Sequence, residues 1–569
     1  MFNKKLLAAM MAVALVVLAC GGTASQAPTT EPVPGETTAA TEAPDSNLAD
    51  EQVLRVDLGT EPPTLDPTMA QDSASIAVLN GINRPLMSFD KDLKTIPALA
   101  ETADVSADAK TVTFTLRDAQ YSNGDTIVAG DLVYSWKRLL DPRLAAPYSY
   151  VMGPVEGAND LLALQGKEGL TDAEAEAAMD KLGVSAPDDK TFVVTLATPA
   201  TYFLTIAALW VTVPLQQSWV ETPNFTEAEN YVSSGPFKME SWEHTSKLTI
   251  VPNENWYGDI KPTLTRIEFS MLNDPATAQL AYENGDLDIV QTPSEDIQRV
   301  KADPVLSKEA INVSGLITNP YYGFNMQDRI TGNKNFRIAL TQAVDKETWI
   351  NTVGGGTGVI ANSFIMPGIP GSDPDLNPYP YDLESAKAHF ATALTELGAS
   401  SAADLGKITI GFNSGAGHEN TVAFLAEAWG QAFGLEFDQQ GSEFAVFLGQ
   451  RHAGAYQISR NGWGADYPHA SNQLDGLFTC GGGNNDEQWC NEEFDRLVLE
   501  AAVETDQDKQ IALYKQAQEI LMGEAVIIPF RFSATLFEIK PWVSGLVITP
   551  MYGQVPGDQD YETIQILKH

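Results

Sequence analysis

Positive charge is scarce in this chain. Thirty-five lysines and arginines stand against 75 aspartates and glutamates, a formal net charge of −40 over 569 residues. Recognition of a phosphate backbone needs a cationic footprint, so this balance argues against nucleic-acid binding. It also keeps the body off an anionic lipid surface. Cysteine is scarcer still, at three: Cys20, Cys480 and Cys490. The last two bracket a Gly-rich polar loop, and in an exported protein such an even pair reads as a disulfide. A two-cysteine metal site is the alternative, but Cys-x9-Cys without a neighbouring histidine fits no common zinc spacing. No metal or other cofactor is expected. An H-E-x-x-H helix, a G-x-S-x-G elbow and a phosphate loop are all missing. The glycine run Gly354 to Gly358 lacks the lysine that a phosphate loop requires. A secreted peptide hydrolase is therefore the competing function class, and no enzyme is the expectation.

The one long apolar run is at the start. Lys4 and Lys5 precede an uncharged stretch from Leu6 to Ala19, too short for a comfortable span, so residues 1–19 read as a signal peptide. The run ends in Val17-Leu18-Ala19-Cys20, which resembles a bacterial lipobox and implies lipidation of Cys20. An ordinary signal peptide with an incidental cysteine is the alternative. Residues 20–50 then form a tether rich in Thr, Pro, Ala and Glu that buries too little apolar surface to order itself. The remainder, about 520 residues, is long enough for more than one core.

Strand and helix signals alternate through that remainder. Thr111 to Leu116 and Thr191 to Leu196 each alternate apolar and polar residues. Each follows an echoing phrase, V-S-A-D-A-K-T at Val105 and V-S-A-P-D-D-K-T at Val184, which predicts two similar antiparallel strands entered through polar turns. Asp131 opens a helix presenting Leu132, Trp136 and Leu140 on one face and stopping at Asp141-Pro142. Asp274-Pro275 reads as N-cap and first helical residue of a helix ended by Gly285, with a strand at Leu287 to Val290 after it. Asn335 to Ile350 and Asp506 to Met522 read as helices, and Ala525 to Phe530 as a strand. The class is α/β, mixed with α+β, with sheets covered by helices.

The segment Arg460 to Tyr467, R-N-G-W-G-A-D-Y, joins a cation, a Trp and a carboxylate on a backbone thinned by Gly462 and Gly464. Ala455 to Ser459 before it is strand-like and Pro468 to Asn472 after it is turn-like. A carboxylate at a strand end suits an ammonium group, and open backbone suits an extended chain. A structural turn capped by Asp466 is the plainer alternative. G-W-G-A-D-Y resembles the hallmark of the oligopeptide-binding proteins, family 5 extracytoplasmic solute receptors of ABC importers. Further phrases follow in the family's order: L-R-V-D-L-G-T-E-P-P-T-L-D-P at Leu54, V-Y-S-W-K-R-L-L-D-P at Val133, S-S-G-P-F-K at Ser233, A-Y-E-N-G-D-L-D-I-V at Ala281, Y-Y-G-F-N at Tyr321 and K-P-W-V-S-G-L at Lys540.

The resemblance implies a periplasmic-binding-protein-like fold of two lobes closing on the ligand. Lobe one would hold residues 51–310 plus 533–569, with an extra subdomain at about 85–205, and lobe two residues 311–532. It implies that Asp466 pairs with a peptide's α-ammonium and that Gly462, Trp463, Gly464 and Ala465 lie along the peptide main chain, Trp463 being either a cleft wall or a core aromatic. Tyr148 would touch the ligand backbone, or else be a surface loop residue. Arg460, Arg451 and His418 fall where family members take ligand carboxylates, although a lone histidine such as His418 is more often structural. Phe444 stands where the family usually has a pocket Trp. Implied partners are an oligopeptide and the permease subunits of an ABC transporter, for a monomer held by lipid on the extracytoplasmic face of a bacterial membrane. A receptor of the same fold for nickel chelates, haem, glycans or opines is the second reading.

Overall fold

A computed structural model describes residues 47–569, apart from 315–318, 355, 357, 415–417, 466, 483 and 553. Among the described residues the strands form two large mixed sheets, a four-stranded antiparallel sheet and three two-stranded ribbons. The order in the first large sheet is Ala310–Ser314, Ala534–Ile539, Ile289–Gln291, Val53–Asp57, Arg266–Ser270, Lys247–Pro252, Phe237–Glu243. Its strands alternate inward residues such as Leu54, Val56, Ile267 and Phe269, which bury against the Ser73–Ile82 helix and Tyr561. The C-terminal segment returns here, since Ala534–Ile539 is inserted between Ile289–Gln291 and Ala310–Ser314.

The second large sheet runs Glu436–Ser442, Lys407–Asn413, Ile458–Trp463, Asn319–Phe324, Ile527–Pro529. It is covered on both faces. Tyr322, Phe324, Ile408, Ile410 and Ile458 face one core with Phe336, Leu340, Val422 and Trp429. Tyr321 and Ile527 face another, built on Leu474, Phe494, Leu497, Tyr514 and Leu521.

The echoed phrases are the turns of two β-hairpins lying side by side. Ala100–Val105 pairs with Thr111–Leu116, Val184–Ser185 pairs with Thr191–Thr195, and the two longer strands pair with each other. Asp108 and Asp188 each accept a main-chain hydrogen bond two residues on, from Lys110 and Lys190, at 3.1 and 2.9 Å. Phe192 and Phe114 lie inward, and the Trp136 ring meets Phe192 edge-on at 4.8 Å. Burying such side chains stabilises by about 1.5–3 kcal/mol each, which holds the Ala129–Leu140 helix to this sheet.

Helix ends follow the expected chemistry, with three differences. Pro275 opens the Pro275–Asn284 helix after Asp274, and Gly285 closes it at φ +85°. Asp506 caps Gln507–Gly523, accepting from Asp508 and Lys509. The continuous helix expected over Asn335 to Ile350 is two, Lys334–Gln342 and Lys346–Thr352, because the Asp345 carboxylate accepts from Thr348 N–H and starts a new N-terminus. The strand expected at Ala455 to Ser459 runs instead over Ile458–Trp463, so Arg460, Gly462 and Trp463 are strand residues. The turn expected at Pro468 to Asn472 is the start of the helix Ala470–Phe478, capped by His469.

Candidate functional site

Strand direction defines a common edge. Val53–Asp57 is parallel to Arg266–Ser270 and Ile289–Gln291, so Asp57, Ser270 and Gln291 end together. In the second sheet Lys407–Asn413 is parallel to Glu436–Ser442 and Ile458–Trp463, so Asn413, Ser442 and Trp463 end together. The links between the sheets leave from these same edges: Ser314 pairs with Ala534, and Asn319 pairs with Trp463. In open α/β sheets ligands settle outside the carboxyl ends of the strands.

On the first sheet this edge holds a cavity of about 330 Å³, lined by Asp57, Gly59, Asn273, Gln291, Phe537 and Gln554 among others. Asp57 accepts from Leu272 N–H at 2.8 Å, and burial, outweighing these bonds, raises its carboxyl above the ordinary range. Sequence reasoning passed over it. Yet V-D-L-G at Val56 to Gly59 sets a carboxylate at a strand end beside glycine, the pattern that drew attention to G-W-G-A-D.

On the second sheet the parallel ladder stops early. Lys407–Asn413 and Ile458–Trp463 pair only at Ile410–Ile458 and Gly411–Ser459, although both strands continue beyond. Past that point, among the described residues, the main chain of Arg460 to Trp463 is laddered only to Asn319–Tyr322. His418 opens the His418–Phe433 helix and Phe444 the Phe444–His452 helix, each just after one of the parallel strands, so they share this edge with Trp463, Gly464 and Ala465. Asp466 lies outside the described residues, as does Cys20.

The cations differ in how free they are. Arg460 lies opposite Tyr322 in the ladder, is half-buried, and among the described residues it makes no ion pair and its buried Nε has no hydrogen-bond partner. Desolvation lowers its pKa, which marks a charge held away from water. Arg451 is already engaged: its Nε lies 2.7 Å from Asp486 Oδ2, and its guanidinium packs over the Phe447 ring. His418 is pushed down to about 4 by burial and then by Arg460, so its ring is neutral at neutral pH.

Trp463 is half-buried against the core of Leu474 and Phe478, with its indole N–H donating to Asn472 at 2.9 Å; Ala465 packs at the same place. Tyr148 precedes a 3-10 helix, Ser149–Met152, and its ring meets Trp210 at 4.8 Å and Tyr150 at 5.4 Å. Tyr148 and Tyr467 both pack on the core of the four-stranded sheet, and Tyr467 stacks on Tyr202 at 5.6 Å. A buried chain supports that junction, from Ser471 through His469 and Gln510 to Thr201. Cys480 and Cys490 are joined in a disulfide.

Beneath the Asn319–Phe324 strand sits Glu487, 1% exposed, whose Oε1 accepts from Asn461 at 2.7 Å. A Cβ on Gly323 would meet that oxygen at 1.9 Å. The glycine in Y-Y-G-F-N, among bulky strand residues, was the available signal for such a close approach. Among the described residues no helix is long and apolar enough to cross a membrane.

Comparison with known proteins agrees with this architecture. The model of the bacterial extracellular solute-binding proteins, family 5 middle, matches residues 94–485. Oligopeptide-binding protein OppA of Bacillus subtilis (strain 168) is 31% identical over 96% of this chain and 97% of its own length. Dipeptide-binding protein DppE of the same organism is 30% identical over 88% and 90%. The unliganded open form of the murein tripeptide-binding protein MppA superposes with a TM-score of 0.82 at 26% identity, covering 92% of this chain and 99% of that one. Haemophilus influenzae OppA in complex with the peptide RPPGFSPFR gives 0.62 at 27% identity, covering 92% and 100%. With the family model spanning most of the chain and relatives aligning nearly end to end, this protein belongs to family 5 of the bacterial extracellular solute-binding proteins.

Proposed function

We propose that this protein captures extended oligopeptides with a free N-terminus between two lobes and delivers them to an ABC importer. The observation that carries the reading is the ladder that stops: beyond Ser459 one side of the Ile458–Trp463 strand has no strand partner among the described residues. An extended peptide supplies the missing N–H and C=O groups whatever its sequence, which gives affinity with loose side-chain preference. Asp466, three residues beyond the strand, is assigned to the α-ammonium. Arg460, desolvated and short of a partner, is assigned to the ligand carboxylate; its planar fork suits that group. Arg451 keeps Asp486, and His418 acts as a neutral neighbour.

In this reading lobe one comprises residues 51–310 and 533–569 and lobe two residues 311–532, with the cavity at Asp57 on the facing wall. The distribution of strands between the two large sheets supports that division. The higher likeness to the open form of MppA than to peptide-bound OppA fits a receptor awaiting ligand. Cys20 carries the lipid anchor, and bound peptide leaves the protein uncleaved. Calorimetry with one pentapeptide, free and N-acetylated, tests the assignment. The capped peptide is expected to lose most of its affinity because Asp466 is left without its partner. Equal binding of the two, or recovery of cleaved peptide, refutes it.

A further inference from the structure

A second cavity, of about 210 Å³, lies at the other edge of the first sheet. The 253–265 loop joins the end of Lys247–Pro252 to the start of Arg266–Ser270, so it leaves the sheet opposite Asp57 and Ser270. The loop is tightly built. Trp256 Nε1 donates to Ile260 O at 2.9 Å, and a Cβ on Gly258 would run into the indole at 2.3 Å. Arg84, which follows the Ser73–Ile82 helix, stacks over Trp256 at 5.3 Å and pairs with Glu562 at 2.5 Å.

What the cavity contains is unusual for a structural joint. Arg84 is 6% exposed, yet its Nε has no hydrogen-bond partner among the described residues. Arg117 Nε, Tyr257 Oη and Glu562 Oε2 are likewise buried and unpartnered, and all four residues line the same space. Buried polar atoms are normally satisfied, because an orphan loses its hydration with no bond to replace it. Four at one cavity point to a ligand that completes them. The orphans are of both kinds. Arg117 and Tyr257 offer N–H and O–H donors, with the Arg84 guanidinium close enough to Tyr257 to act on its phenol. Glu562 Oε2 offers an acceptor, and the Asp560 carboxyl beside it is desolvated and pushed up to about 6. Between the poles the walls are apolar, with Trp256 inside and Ile96 and Ile260 exposed at the rim.

We propose that this cavity is a second ligand site that holds a free α-amino acid with an apolar side chain. Its carboxylate sits on Arg117 and Tyr257, its ammonium on Glu562 and Asp560, and its side chain on Trp256. The site is independent of the strand-end cleft, so the two bind together. Equilibrium dialysis of labelled L-leucine against the full chain tests this. One saturable site per chain is expected. 4-Methylpentanoate, which lacks the ammonium, and isoamylamine, which lacks the carboxylate, should each compete at least tenfold more weakly than leucine. Arg117→Met and Asp560→Asn should each weaken leucine binding at least tenfold, and Arg460→Met in the cleft should leave it unchanged. Asp560→Asn keeps the test intact if Arg117→Met does not fold. No saturable binding overturns the proposal. So does competition by 4-methylpentanoate equal to that of leucine, or loss of leucine in Arg460→Met with retention in Arg117→Met.

Discussion

Glu487→Gln should make this protein less sensitive to alkaline pH. Glu487 is sealed under Gly323, hydrogen-bonded through Oε1 to Asn461, with Oε2 unpartnered. Burial first, and then the charge of Asp486, push its carboxyl from 4.5 up to about 8. The folded state therefore retains a proton that the unfolded chain gives up. Its contribution is fully present below the unfolded value near 4.5 and is lost as pH rises towards 8. At about 1.4 kcal/mol per unit, the loss across that window is on the order of 5 kcal/mol as an upper bound. Glutamine keeps the shape and the acceptor for Asn461 and has no proton to lose. Denaturant unfolding at steps between pH 5 and 8.5 should show wild-type stability falling more steeply than that of Glu487→Gln, the two curves separating progressively above pH 5. Parallel curves would mean that Glu487 ionises freely in the fold and that water or a shift of the strand reaches it.

Four further outcomes are expected. Gly323→Ala should cost about 1–3 kcal/mol, because the added methyl meets the Glu487 carboxyl; urea midpoints measure this, and an unchanged midpoint refutes the close approach. Asp466→Ala should weaken peptide binding by roughly 2–5 kcal/mol while leaving cooperative thermal unfolding intact, as expected for a lost partner of the peptide ammonium; loss of cooperativity would make the residue structural. Cys20→Ala should release the protein from membranes without altering peptide affinity, and continued membrane fractionation would mean that Leu6 to Ala19 is retained as a span. Saturating peptide should reduce the radius of gyration in small-angle scattering and raise the thermal midpoint with concentration, and an unchanged radius would refute closure.

Much of this protein is legible locally. Asp274-Pro275 and Gly285 mark a helix because capping and a left-handed closing residue act within one turn of chain. The echo at Val105 and Val184 announces two hairpins because an Asp folding back on its own backbone needs nothing distant. The family is legible because its phrases recur in order along the chain. What required the tertiary structure depends on residues far apart in sequence. Arg460 and Trp463 are strand residues because Tyr322 and Asn319, well over a hundred residues earlier, pair with them. Arg451 and Arg460 read alike as cations near a strand, and only the fold gives Asp486 to one as an ion pair and leaves the other with no ion-pair partner among the described residues. Asp57 and Gln291 share a cavity, and Arg84 and Glu562 share another, because parallel strands gather their ends and the C-terminal segment returns to the first sheet. Periodicity records which face of an element is apolar. Which elements meet is decided by long-range burial and pairing, and the charges left over at those meetings form the sites.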